Sequence, residues 1–557
     1  MLTLDQGKLT ARTRTLTAEF EHGVITSLRR HGDDKELIRA GAGALFPLQL
    51  IYANAEAVDL GGHDRDSVQV LMHNEHRAQI RVGSWYGDGV LDISEDEATG
   101  DLIVEPSAYA SRPGLRAVRW MLGGVDKELD LIAPFFQGVR LPLEDPLIRD
   151  THWHWPHFWE AGLAILQGKD GGFWIHSRDR QYRYKALRVG TAKDARRLGM
   201  ETETYGPLDR SLASGGLAWR LNVYSGDWQQ PAAQYRDWLE QTWRPDDTRR
   251  PDWVQALRLA ISWCPCDETV LSALSARLPP DQVLLHIPHW RSDPYDENYP
   301  TYESSPEGRA FTAKARGMGF RVMPHFNSID MDPLHPVYTY IRDFQYRALE
   351  SKRVEGWTWD GQVKPVMESN AARIRHRDKK TMVKIHPGLS MWRSLLAEHV
   401  HASVRELDLE AVFLDVTLNT WNLDNCLVEN MTPSEGMNRL IETVAACRPG
   451  LAMGGEGRNE LTMQKQCFGQ VHLFKSWQDS VDGLERCGGC ALNEFLFGRW
   501  CRSFGYSNLN GKTDIARTRM DLHDRLGAIP TLTIGSGRDI AEPNPAVSRM
   551  LDRAING

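Results

Sequence analysis

The chain has 557 residues, too many for one hydrophobic core, so two or three domains are expected. It is 41% hydrophobic and 25% charged, an ordinary globular balance. Its net charge of −8 comes with no basic stripe, which argues against nucleic acid as a partner, and no run is long and apolar enough to span a membrane.

The first residues, "MLTLDQGKLTARTRTLTAEF", carry no apolar core behind a positive end, so a secretory leader is not expected and a cytoplasmic location is. Up to about residue 240 the pattern is one of short alternating runs: "LTAEFEHGVITSLRR", "VQVLMHN", "HRAQIRVGSW", "LRAVRWML", "KELDLIAPF". Gly and Asp/Asn turn signals separate them, which predicts an antiparallel β-sandwich. "AGLAILQGKDGGFWIHSRD" predicts a hairpin around Gly-Lys-Asp-Gly-Gly. "PAAQYRDWLEQTW" (231–243) has helical spacing, and the polar, Pro-bounded "RPDDTRRPDW" (244–253) predicts a boundary, giving domains 1–245 and 246–557.

Beyond 253, apolar strands alternate with amphipathic helices. "ALRLAISW", "DQVLLHIPHW", "GFRVMPHFN", "AVFLDV", "LAMGGEG", "GQVHLF" and "AIPTLTIG" are strand candidates, with a seventh placed near "CALNEFLF". This repetition predicts a (β/α)8 TIM barrel with a long insertion around 328–388.

In such a barrel the C-terminal ends of the strands form the active face. The polar residues there are Trp263 and Asp267 after the first strand and His286, His289, Trp290 and Arg291 at the second. The third contributes His325, Asn327 and Asp330, the fourth Asp415, Asn419 and Trp421, the fifth Glu456, Arg458 and Asn459, and the sixth Lys475, Trp477 and Asp479. Carboxylates, imidazoles and amides suit sugar hydroxyls, and indoles suit the C–H faces of sugar rings. Trp263, His289, Trp290, His325, Asn327, Asn419, Arg458, Lys475 and Trp477 are therefore the expected substrate contacts.

Asp415 closes the apolar run "AVFLD" and Glu456 closes "LAMGGE", one βα unit later. A charged group at the end of a buried strand is costly unless it is paired or used. Neighbouring strands would bring both carboxyls to one face, as a retaining glycosidase requires of its nucleophile and its acid/base. Asp415, followed by polar "TLN", suits an ionised nucleophile. Glu456, on a Gly-flanked loop, suits an acid/base. The bland alternatives are that Asp415 caps a helix or pairs with Lys384, Arg458 or Lys475, and that Glu456 is a solvated loop residue. Asp479 and Glu494 are rival acids. "GGEGR" lacks the spacing of a phosphate-binding loop. His286, His289 and His325 lack a metal-ligand spacing, and a lone CxxC, Cys487 and Cys490, is weak for zinc, so neither metal nor cofactor is expected.

"AVFLDVTLNTW" resembles the nucleophile strand of retaining α-glycosidases of the endo-α-N-acetylgalactosaminidase type, and "GLAMGGEGRNE" has the matching place for their Glu. "QYRDWLEQTWRP" and "HPGLSMWRSLLAEHV" look like an uncharacterised bacterial branch of these hydrolases. The layout is also similar over roughly residues 150–540, a galactose-mutarotase-like sandwich followed by a barrel. The resemblance implies hydrolysis of an α-glycoside with retention, Asp415 as nucleophile and Glu456 as acid/base. About twenty residues follow the last strand candidate, which leaves no room for the C-terminal β-domain common in such enzymes. A short oligosaccharide or small glycoside is thus the expected substrate. The competing readings are a sugar lyase or isomerase on the same barrel face, which needs no carboxylate pair, and a non-catalytic carbohydrate-binding protein. Base rates for intracellular enzymes of this size favour a homodimer.

Overall fold

A computed structural model describes residues 1–33, 35–39, 46–63, 65–145, 150–192, 195–243, 245, 250–358, 381–471, 489–505, 520–521 and 523–557. The chain divides into two compact units, Met1–Thr242 and Trp243–Gly557. The expected architecture holds: antiparallel sheets of the sandwich kind come first, and a parallel barrel follows.

In the first unit, strands Leu2–Asp5, Lys8–Arg12, Leu16–Glu21 and Val24–Arg30 form a four-stranded meander. A ten-stranded sheet contains the meander Ser67–Asn74, Arg77–Ser84, Gly87–Asp96 and Asp101–Ala110 and the hairpin Leu163–Gly168/Gly171–Ser177. A six-stranded sheet is built on Leu115–Asp126 and Ala195–Glu203. Period-two burial, as in Arg77–Ser84, is what makes these segments strands with one face in the core. Register places Glu201 opposite Arg119 on that last pair. Arg119 Nε donates to Glu201 Oε1 at 2.7 Å, and His152 Nε2 lies 3.0 Å from Oε2. Burial pushes the Glu201 carboxyl up, but His152 and Arg119 outweigh it and hold it well below the usual carboxylate range.

The eight barrel strands, in chain order, are Leu259–Ile261, Val283–Ile287, Arg321–Asn327, Ala411–Asp415, Ala452–Glu456, Phe468–Val471, Arg502–Gly505 and Thr531–Leu532. Neighbours pair in parallel from the seventh back to the first, and the eighth pairs with the first. Ile529 N–H donates to Ser503 O at 2.8 Å and closes the ring. The strands alternate. Ala260, Leu284, Met323, Phe413, Ala452, Phe468, Phe504 and Ile529 fill the barrel interior. Ile261, Leu285, Val322, Val412, Leu414 and Met453 face outward into a core shared with the helices. Those helices start where the sequence provides a cap followed by proline: Ser305 before Pro306, Thr432 before Pro433 and Asn544 before Pro545 each accept a backbone N–H.

Two details differ from expectation or extend it. "CALNEFLF" holds a helix, Leu492–Phe497, because Leu492 and Leu496 share one buried face at helical spacing, and the seventh strand lies beyond it. Between the third and fourth strands the described chain forms a small antiparallel sheet of Asp330–Met331, Thr381–Lys384 and Gly356–Thr358. No described helix is long and apolar enough to cross a membrane.

Glu201→Gln leaves Arg119 buried without a charge partner, so the first unit is expected to lose about 3 kcal/mol at pH 7. The wild-type advantage is fully present above the unfolded pKa of about 4.3 and fades as pH falls toward the depressed folded value. Urea titrations of both proteins at pH 7 and pH 3 check this; equal midpoints at pH 7 would contradict it.

Candidate active site

Strand alternation decides what reaches the barrel mouth. Met323, Phe413 and Ala452 point inward, so His325 and Asn327, Asp415, and Glu456, each an even number of residues on, point inward too. Register aligns them: Asn327 is opposite Asp415, Leu414 opposite Gly455, and Glu456 opposite Gln470. Asp415 and Glu456 are thus side by side at the ends of adjacent strands.

The Asp415 side chain is 15% exposed. Its Oδ2 lies 3.0 Å from His325 Nε2 and accepts from the Tyr295 hydroxyl at 3.3 Å. Burial pushes the carboxyl up, but the charge and hydrogen bond of His325 outweigh it, and the net direction is below the ordinary carboxylate range. An ionised carboxylate cannot sit 3.0 Å from a bare imidazole nitrogen, so Nε2 of His325 carries a proton. Behind this pair, His286 is buried, and its Nδ1 accepts the Trp263 N–H at 3.4 Å. Burial, with His325 nearby, pushes His286 down to about 3, which keeps it neutral. Its Nε2 has no hydrogen-bond partner among the described residues.

Glu456 is buried, and its Oε2 accepts the Val416 N–H at 3.2 Å. Val416 adopts φ +66°, an unusual value for a β-branched residue, and Trp263 at the end of the first strand adopts φ +57°. Such conformations cost about 1–3 kcal/mol each, and they occur here at two strand ends on the same face. The glycines of "GGE" serve close packing, not phosphate. A Cβ on Gly454 would meet Met323 Sδ at 2.7 Å in the barrel interior. A Cβ on Gly455 would collide with Gln466 Nε2 and meet Thr417 Oγ1 at 2.5 Å. Thr417 Oγ1 donates to the Glu456 carbonyl at 2.8 Å and accepts from Gln466 Nε2 at 3.0 Å.

Next to Tyr295, the Trp263 ring lies 5.1 Å from the Tyr295 ring and 6.2 Å from His289, which is exposed. Beyond the third strand, Asp330 accepts from Lys384 Nζ at 2.8 Å and Trp357 Nε1 at 2.7 Å, while Glu355 accepts from Trp421 Nε1 at 3.1 Å. Burial pushes the Glu355 carboxyl up. Asn419 is buried, and its Oδ1 lacks a hydrogen-bond partner among the described residues.

Three expected contacts are committed to protein partners. Trp290 is fully buried in the outer core, donates its indole N–H to His325 O at 2.8 Å and stacks on Tyr302. Arg458 is buried and donates to Cys501 O and to Glu494 Oε2 at 2.7 Å, which also makes Glu494 its counter-ion. The Asn327 amide is committed to the following turn: Oδ1 accepts from Ile329 N and Asp330 N, and Nδ2 donates to Asp330 Oδ2. Lys475, Trp477 and Asp479 lie outside the described residues. Tyr295 escaped the sequence reading because it sits in the irregular loop "RSDPYDENYPTY", with no strand end to mark it. Its position after a barrel strand, where loops carry function, was the available signal. Among the described residues no group of three or more His, Cys, Asp or Glu side chains is arranged to hold a metal ion.

A family model described as a domain of unknown function, DUF6259, matches residues 217–436. No curated protein matches the chain. Among solved structures, the ligand-free α-N-acetylgalactosaminidase NagBb from Bifidobacterium bifidum is similar at TM-score 0.66 and 11% identity, over 100% of this chain and 92% of its own. Its GalNAc complex is similar at 0.65 and 12%, with the same coverage. The GH36 α-galactosidase AgaA from Geobacillus stearothermophilus is similar at 0.50 and 9%, over 98% of this chain and 85% of its own. What the chain shares with these α-glycosidases, at such identities, is the fold.

Gly455→Ala should push Gln466 and Thr417 off the Glu456 backbone and cost about 1–3 kcal/mol, the range for overpacking. Thermal unfolding with an Ala scan of both glycines checks this; an unchanged midpoint for Gly455→Ala would mean the close approach is relieved elsewhere.

Proposed function

We propose that the chain hydrolyses an α-linked glycoside of a small saccharide with retention of configuration, and that unit Trp243–Gly557 carries the chemistry. The observation that carries this reading is the side-by-side placement of Asp415, held ionised by His325, and Glu456 on adjacent strand ends. The fold shared with α-galactosidases and an α-N-acetylgalactosaminidase supports the α-glycoside class.

Asp415 attacks the anomeric carbon while the bond to the leaving oxygen breaks. Glu456 gives that oxygen its proton, and a glycosyl ester on Asp415 results. Glu456, now a carboxylate, takes a proton from water as the water oxygen attacks the same carbon, and Asp415 leaves as the carboxylate. Two inversions give net retention. An acid at Glu456 can accept the Val416 N–H through one oxygen while the other carries the proton. Trp263 and His289 would cover a sugar face, and Asn419 Oδ1 would accept from a hydroxyl. No cofactor enters these steps.

The test is hydrolysis of a panel of α- and β-linked aryl glycosides and natural oligosaccharides by wild type, Asp415→Asn and Glu456→Gln. Each variant is expected to lose about 10²-fold or more in kcat. Azide is expected to rescue Glu456→Gln and yield a glycosyl azide of retained configuration. Near-normal rates in both variants would remove the carboxylate assignment.

A further inference from the structure

The loop after the second barrel strand is fastened in a way that the two carboxylates do not explain. Arg291 is buried, and its guanidinium donates to three carbonyls of its own loop: Thr301 O at 2.8 Å, Pro294 O at 2.8 Å and Glu297 O at 3.2 Å. It lies over the rings of Tyr299 at 4.4 Å and Tyr302 at 5.3 Å. Asp296 and Asn298 adopt φ of +59° and +56°, and Asn298 N–H donates to Asp332 Oδ2 at 3.0 Å. These contacts fix the backbone on both sides of Tyr295. Its ring packs 4.9 Å from His325, and its hydroxyl lies 3.3 Å from Asp415 Oδ2 and 3.2 Å from His325 Nε2. Because Nε2 of His325 carries a proton, the phenolic hydrogen has one acceptor of the two, the carboxylate.

We propose that Tyr295, presented by the loop that Arg291 fastens, is a positioning residue for the nucleophile: its hydroxyl and His325 together hold Oδ2 of Asp415, so that Oδ1 is the oxygen that meets the anomeric carbon. The proposal rests on the reading of Asp415 as nucleophile. In the ester, Oδ2 is a carbonyl oxygen and a weaker acceptor; as the ester breaks, it regains charge and the Tyr295 hydrogen bond strengthens. The hydroxyl therefore favours departure of Asp415 in the second step more than its attack in the first.

Among the described residues, the groups that face Asp415 are His325 on the third strand, His286 on the second, Tyr295 and Tyr299 on the loop and Glu456 on the fifth strand. Tyr295→Phe deletes one donor to the ionised carboxyl and leaves the other groups in place. The acidic limb of kcat/KM is then expected to move to higher pH, and kcat to fall about 10-fold or more with a lower KM, as glycosyl-enzyme accumulates. An unmoved limb with kcat within about twofold would overturn the proposal. A readout without substrate is the thermal midpoint of Tyr295→Phe in the wild-type and Asp415→Ala backgrounds. The cost of losing the hydroxyl is expected to vanish in the Asp415→Ala background; an equal cost in both backgrounds means plain packing and also overturns the proposal. Failure of the glycosidase reading has a separate signature, an Asp415→Asn variant that keeps its rate, and then Tyr295 has no nucleophile to position.

Discussion

An ionised carboxylate at the inner end of a buried strand is the constraint around which the second unit is arranged. Without a partner, Asp415 would carry a desolvation penalty of several kcal/mol and would hold its proton instead. The barrel supplies the partner by register alone. Asn327 is level with Asp415, so His325, two residues earlier on the same inward face, lies beside the carboxyl. Ser328, one residue past the strand, donates to the Asp415 carbonyl at 2.6 Å and ties the two strand ends together. Trp290 does the same from behind by holding the His325 carbonyl. Neutral His286 completes the inner wall without adding a charge that would compete for the carboxylate.

The two carboxyls also share a contact, because the Val416 N–H that meets Glu456 helps to lower Asp415 as well. Asp415 faces an imidazole and a phenol, both donors from side chains on other elements. Glu456 is met by a backbone N–H from Val416, the residue that follows Asp415. Reaching it requires Val416 to adopt a left-handed backbone, so the strand that presents one carboxyl is bent to contact the other.

The sequence made the architecture legible because the barrel's periodicity is local. Strand signals recur in "GFRVMPHFN" and "AVFLD", and both strands lie where they were expected. It also singled out Asp415, because a carboxylate after four apolar residues violates the pattern around it. The seventh strand was misplaced because "CALNEFLF" is apolar enough for either period, and Leu492 and Leu496 settle it only once a helix face is buried. Side-chain roles were the least legible part. Trp290 and His289 are neighbours just beyond the second strand, yet one is fully buried against the Tyr302 ring and the other exposed. Tyr295 could not be found by strand ends at all, since its place depends on carbonyls that Arg291 collects from 294, 297 and 301.

The same bookkeeping of donors bears on the substrate's charge. Arg291, Lys384 and Arg458 are the described cations near the strand ends that could have met an anionic sugar. Arg291 is committed to three carbonyls, Lys384 to Asp330, and Arg458 to Cys501 O and Glu494. To bind a uronate or a sulfated unit, one of them would have to abandon a buried partner, and an unpaired buried carboxylate or carbonyl costs more than the new contact returns. Asn419 Oδ1, by contrast, has no hydrogen-bond partner among the described residues, and it accepts rather than donates. Among the described residues, then, the cations at the strand ends are held by protein partners, which an anionic sugar would have to displace.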